Sequence, residues 1–122
     1  MDRKYLMTAL GYAIVGVALG IHMASSQNHG QLVTHAHIML VGFVVSFVYA
    51  LCHKLWLNEP SETLNKLQFY SHQIGTAGLV ISFFLQYGNI LPLRTIAPIL
   101  AVSSILVFIA LILMKVLVIK SK

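Results

Sequence analysis

Four long runs of apolar residues, separated by short polar connections, make up nearly the whole chain. The runs extend from about residue 5 to 24, 32 to 56, 67 to 87 and 95 to 119. Each is close to the roughly 20 residues that an α-helix needs to cross the hydrocarbon of a membrane. Because apolarity is continuous and not alternating, the runs indicate helices and not barrel strands. The pattern predicts an all-helical integral membrane protein, a four-helix bundle forming a single domain over residues 1–122.

The connections carry residues that begin and end helices. Asn58–Glu62, with the sequence NEPSE, is a polar turn in which Pro60, Ser61 and Glu62 favour a helix start. Gly88–Pro92, with the sequence GNILP, separates the third run from the fourth. Pro98 falls in the first turn of the last predicted helix, where a missing N–H is tolerated.

Composition supports a membrane protein. Hydrophobic residues make up 58% of the chain and charged residues only 9%, whereas about a quarter of an ordinary soluble domain is charged. So few charges cannot cover a surface exposed to water. The net charge of +5 comes from basic residues at the ends of the apolar runs, without interleaved aromatics. We therefore expect the lipid bilayer as a partner and no nucleic acid.

The basic residues also predict the orientation of the helices. In a four-span arrangement only Arg94 lies on one side, and the other basic residues lie on the opposite side: Arg3, Lys4, Lys54, Lys66, Lys115, Lys120 and Lys122. Basic residues accumulate on the cytoplasmic side of membrane proteins. Both termini are therefore predicted to be cytoplasmic, and the connections that hold His29 and Arg94 are predicted to face outward.

Gly16 and Gly20 form a GxxxG motif in the first run. Small residues at this spacing allow two helix backbones to approach closely. The motif is compatible with helix association and equally with the ordinary enrichment of glycine in membrane helices.

Six histidines lie in or beside the apolar runs. An ionisable side chain at membrane depth is costly and marks a candidate functional site, and neutral imidazole is a common ligand of metals and haem. His35 and His37, in LVTHAHIML, lie about one turn inside the second predicted helix and point about 200° apart. They therefore serve two different sites, or one of them ligates while the other forms a supporting hydrogen bond.

The other histidines have different local settings. His72, in FYSHQIG, lies inside the third predicted helix and is either a ligand or a helix–helix hydrogen-bonding residue. His22, at the outer end of the first helix, is an interfacial residue or a ligand. His53, beside a lysine at the inner end of the second helix, is predicted to be interfacial. His29, in the outer connection, is a solvated loop residue or an outer metal ligand.

Several other kinds of site are excluded by the sequence. The apolar runs contain no carboxylate, Cys52 is the single cysteine, and the chain has neither a glycine-rich phosphate loop nor a Ser-His-Asp set. Histidine without thiolate or carboxylate partners narrows the chemistry to haem iron, copper or a proton relay.

The segment His35–Phe43, HAHIMLVGF, and the preceding GIHMASSQNHGQLVT resemble the second-helix region of haem-copper oxidase subunit I and of its nitric oxide reductase relatives. The chain is more similar to small four-helix bacterial membrane proteins described as cytochrome c oxidase subunit I-like. The motifs of that family fall here on Asn28-His29, His35-Ala36-His37, Gly42-Phe43 and Phe69–Gly75. The resemblance extends over about residues 11 to 92.

The resemblance implies a b-type haem protein of the bacterial inner membrane. In the large oxidases a second-helix histidine is an axial ligand of the low-spin haem, which here corresponds to His35 or His37, with His72 and His22 as candidates for the opposite position. The oxidase subunit has three four-helix arcs, so the chain resembles one arc and is expected to self-associate as a dimer or trimer. The His-Pro-Glu and His-His segments that bind the active-site copper are missing. Complete oxygen reduction by this chain alone is therefore not expected.

Helix depth limits which histidines can share one iron. At helical rise, His37 is about 10 Å outward of the midpoint of its helix and His72 about 7 Å inward of its own. One haem does not bridge such a separation, whereas His22 matches His35 or His37 in depth. A second copy of the chain is another source of the opposite ligand.

Three interpretations follow. The leading one is a haem protein that transfers electrons from an unknown donor or binds oxygen or nitric oxide, with oxidoreductase activity left open. The second is a copper- or iron-handling membrane protein with ligands drawn from the histidines and two thioethers: His29, His35, His37, His72, Met23 and Met39. The third is a non-catalytic assembly subunit of an oxidase, in which the histidines only join helices.

Overall fold

Four helices make up the chain in the computed structural model, which describes residues 1–121. They are α1 (Asp2–Ser26), α2 (Leu32–Leu55), α3 (Glu62–Tyr87) and α4 (Leu93–Lys120). No strand occurs among the described residues, so the prediction of an all-helical chain is confirmed. The second helix ends one residue before the predicted apolar run does.

Three helices, α1, α2 and α4, are long and apolar enough to cross a membrane. α3 has 26 residues but is less apolar, because it carries polar side chains that the bundle buries. Gln68, His72 and Thr76 are completely buried, whereas Leu67 and Ile74 are 53% and 61% exposed. This distribution is the reverse of that in a helix on the surface of a soluble protein. The polar side chains of α3 therefore face the other helices, and its apolar side chains face away from them.

The helices pack as two antiparallel pairs. α1 lies against α2, and α4 lies mainly against α3, while α2 and α3 join the pairs. The backbones of α3 and α4 approach closely at Gly75, where a Cβ atom would lie 2.9 Å from the carbonyl oxygen of Ser103 and from the backbone nitrogen of Val107. A side chain at that position would force the two helices apart.

The middle of α2 is not α-helical. The segment Ile38–Val45 forms π-helical turns between α-helical Leu32–His37 and Ser46–Leu55. The sequence pattern predicts a regular helix here, so this segment is the main departure from the expected secondary structure. At Gly42 the π segment touches the ring of Tyr12 in α1, to which a Cβ atom would approach within 2.6 Å. π-Helical turns are frequent at functional sites.

The GxxxG motif of α1 packs against α2 within the same chain. The sulfur of Met39 and the side chain of Ile38 occupy the space beside Gly16, and the ring of His35 lies beside Gly20. The absence of side chains at these glycines therefore makes room for three residues of α2. Self-association of the chain would have to use another surface.

Candidate functional site

The ring of His35 is held by α1. Its Nδ1 lies 2.8 Å from the carbonyl oxygen of Gly16, and its Cε1 is 3.1 Å from the place where a Cβ atom of Gly20 would be. A carbonyl oxygen can only accept, so Nδ1 carries the proton and Nε2 keeps its lone pair. The half-buried ring thus has one nitrogen fixed and the other available.

The ring of His37 has the same hydrogen-bonding arrangement in a different place. Its Nδ1 lies 2.9 Å from the carbonyl oxygen of Val33 in its own helix, so Nε2 again keeps the lone pair. The ring centroid is 4.4 Å from that of Phe83 in α3. His35 therefore faces α1 and His37 faces α3, as the expected angle of about 200° between them requires.

A histidine ligand of a metal usually donates its second ring N–H to a carbonyl or carboxylate oxygen, which fixes the tautomer and the orientation of the ring. The Nδ1 atoms of His35 and His37 both meet this requirement, and both contacts are to backbone carbonyls. Nε2 is then the nitrogen of each residue that can bind iron or copper.

His72 has a different environment. The residue is completely buried, its Nε2 lies 2.8 Å from Oγ of Ser46, and its Nδ1 lies 3.4 Å from Oγ1 of Thr76. Both ring nitrogens are therefore engaged. His37 contacts α3 at Phe83, which is about 16 Å from His72 at helical rise. The structure does not bring His37 and His72 together.

The two remaining candidate ligands lie at the end of the bundle where α1 is connected to α2. His22 is exposed and lines a cavity of about 330 Å³ together with Met23, Gln31 and Tyr87. His29 is exposed in the connection between α1 and α2. Among residues 1–121, no three His, Cys, Asp or Glu side chains converge on a position where they could hold a metal ion.

A buried polar cluster surrounds Tyr5, which is not among the candidate site residues predicted from the sequence. The Tyr5 hydroxyl donates to Oε1 of Gln68, and Nε2 of Gln68 donates to the carbonyl oxygen of Ala110 at 3.2 Å. His53, predicted to be interfacial, is half-buried and stacks on Tyr5 at 5.7 Å between ring centroids. The polar residues of α3 at helical spacing, from Gln68 to Thr76, are the sequence signal that could have indicated this cluster.

No family model matches the chain, and comparisons with curated proteins and with solved structures gave no match. The functional assignment therefore depends on the residues and on their geometry.

Proposed function

We propose that the chain is a membrane protein that binds a b-type haem through Nε2 of His35 or His37. The observation that carries this proposal is the pair of backbone hydrogen bonds at Nδ1, to Gly16 and Val33, which leave each Nε2 free in a fixed ring. A bound haem would supply an iron that carries one electron or binds a diatomic gas. The chain itself would hold the iron and restrict its axial ligand to one tautomer.

The ligand arrangement favours haem over the copper-handling alternative. The porphyrin supplies four of the iron ligands, so a haem needs only one or two protein side chains. A protein site for free copper or iron needs several side chains around one point. His35 and His37 face different helices, and no three-residue cluster occurs among the described residues.

A second protein ligand for a haem would come from one of two sources. His72 is left out, because hydroxyl groups engage both of its nitrogens. His22, in the cavity at the same end as the histidine pair, and a histidine from a second copy of the chain remain the two sources. A site shared between copies would make the dimer or trimer part of the function.

The proposal is tested by the absorption spectrum of the purified, reduced protein and of Gly20→Ala. We expect the wild type to show the sharp paired bands of a six-coordinate b-type haem. An alanine Cβ at residue 20 would lie 3.1 Å from Cε1 of His35 and would displace its ring. If His35 is the ligand, the bands of Gly20→Ala shift or weaken at least twofold, and if His37 is the ligand they stay.

Gly11→Ala is the matched control, because nothing lies within 4 Å of a Cβ atom there. Its spectrum should equal that of the wild type. A colourless wild-type protein after haem-replete expression, with stoichiometric copper by elemental analysis, would replace the haem proposal by metal handling.

We further propose four spans in the bacterial inner membrane with both termini in the cytoplasm, from the distribution of basic residues. Ser26 and Thr63 are exposed at opposite ends of the bundle. In a Cys52→Ser background, a membrane-impermeant maleimide should label Ser26→Cys in spheroplasts and should label Thr63→Cys only after lysis. Labelling of Thr63→Cys in sealed spheroplasts, with Ser26→Cys protected, would reverse the orientation.

A further inference from the structure

A row of neighbouring polar side chains extends from the end of the bundle at which α1 begins to the middle of the bundle. We call it the polar row, and its members are Tyr5 of α1, Ser46, Tyr49 and His53 of α2, and Asn65, Gln68, His72 and Thr76 of α3. From Asn65 to Thr76 the row extends about 16 Å along α3 at helical rise. It therefore reaches deep into the apolar part of the bundle.

Three members of the polar row have a buried polar atom without a hydrogen-bond partner, and all three lie between His72 and the end of the bundle at which α1 begins. The Tyr49 hydroxyl, Nε2 of His53 and Oδ1 of Asn65 are buried and have no hydrogen-bond partner within the described residues. Deeper in the row, Gln68 and His72 have protein partners. Buried polar atoms are nearly always hydrogen-bonded, and buried water supplies the partner where protein does not. The unpartnered atoms therefore indicate where water enters the row.

A cavity opens at this position. It has a volume of about 410 Å³, and its lining includes His53 and Asn65 of the polar row together with the charged side chains of Asp2, Lys54 and Glu62. Charged groups at the mouth keep a cavity hydrated, because their removal from water is costly. The cavity therefore connects the polar row to the solvent beyond the helix ends.

The hydrogen bonds of His72 differ in kind from those of His35 and His37. Carbonyl oxygens fix the proton of each of the latter two on Nδ1. The partners of His72 are the hydroxyls of Ser46 and Thr76, and a hydroxyl can either donate or accept. The proton of His72 can therefore reside on either ring nitrogen, which a relaying imidazole requires and a ligand does not.

We propose that the cavity and the polar row form a proton path from bulk water to His72. A proton passes from water in the cavity to the ring of His53 and on to water at the Tyr49 hydroxyl. That water gives a proton to Oγ of Ser46, which in turn donates its own proton to Nε2 of His72. The rings of His53 and Tyr49 both pack on Tyr5, with centroids 5.7 and 5.4 Å from that of Tyr5. The ring centroid of Tyr49 is in turn 5.0 Å from that of His72. The return of the proton uses the same groups, so no oxidant or reductant is needed. The path stands whether or not a haem binds.

The test follows the ring protons of ¹⁵N-histidine-labelled full-length protein in lipid nanodiscs by nuclear magnetic resonance. After transfer to D₂O, the ring N–H of His72 should exchange within minutes, while backbone amides in the middle of α3 persist for hours. Its two ring nitrogens should show the averaged shifts of a tautomer mixture. If the His72 ring proton of the wild-type protein exchanges as slowly as these backbone amides, the proposal is wrong, and no variant is needed to show it.

The double variant His53→Phe, Asn65→Leu replaces the two members of the polar row that line the cavity by apolar side chains of similar size. We expect exchange at His72 to slow at least tenfold, with ring shifts that report an intact fold. Gln31→Leu is the control, because Gln31 donates to the Phe84 carbonyl at the other end of the bundle. Exchange at the wild-type rate in the folded double variant would show that water reaches His72 by another route.

Discussion

Replacing His37 by alanine is expected to remove the six-coordinate haem spectrum or to convert it to that of a five-coordinate iron. The expected loss of the low-spin bands is at least tenfold, because no other group of the chain has the same fixed ring at that position. The measurement is the reduced absorption spectrum together with the ratio of haem to protein. His35→Ala, made in parallel, determines the meaning of the pair. Because the two rings face different helices, partial loss in each variant means that each residue holds its own haem. A modest shift in redox potential with haem retained in His35→Ala assigns His35 a supporting role.

His53→Ala is the matched control for these substitutions. It removes a histidine of the same helix that we place in the polar row and not at the iron. Its spectrum should equal that of the wild type. If His35→Ala and His37→Ala both kept the wild-type spectrum, neither residue would be an axial ligand and the proposed function would be wrong.

The second large effect is expected at Gly75, where α3 packs against the backbone of α4. A Cβ atom at Gly75 would lie 2.9 Å from the Ser103 carbonyl oxygen, the Val107 nitrogen and Cγ2 of Val107. Two of these are backbone atoms, which cannot move without displacing α4. Overpacking typically costs 1–3 kcal/mol, so we expect Gly75→Leu to destabilise the fold by about 3 kcal/mol.

Thermal unfolding in mild detergent, followed by circular dichroism at a helical wavelength, measures this effect. Gly11→Leu is the control, because no atom lies within 4 Å of a Cβ atom there. Its unfolding midpoint should match that of the wild type. Equal midpoints for Gly75→Leu and Gly11→Leu would show that α3 and α4 are not packed at this glycine.

The sequence was sufficient to predict the features that depend on local pattern. Continuous apolar runs predicted the helices, and three of the four helices meet the length and apolarity of a membrane span. The opposite directions of His35 and His37 were also predictable, because both residues precede the π segment and lie on regular helix. Four spans and haem binding remain proposals.

Features that depend on which helices meet were not predictable. The hydrogen bond between Tyr5 and Gln68 joins residues 63 positions apart, and no local pattern indicates such a pair. The π segment has the same apolar composition as its surroundings, and its contact between Gly42 and Tyr12 is visible only once α1 lies against α2. The GxxxG motif was ambiguous for the same reason, since a glycine pair does not specify its partner helix.

The π segment sets the angular phase between the two halves of α2. The histidine pair lies before it, and Ser46, Tyr49 and His53 of the polar row lie after it. Loss or gain of one residue within Ile38–Val45 would turn the second half by about 100° relative to the first and move Ser46 away from His72. The length of this segment thus couples the geometry of the two proposed sites, so an insertion there would alter both sites at once while each kept all of its residues.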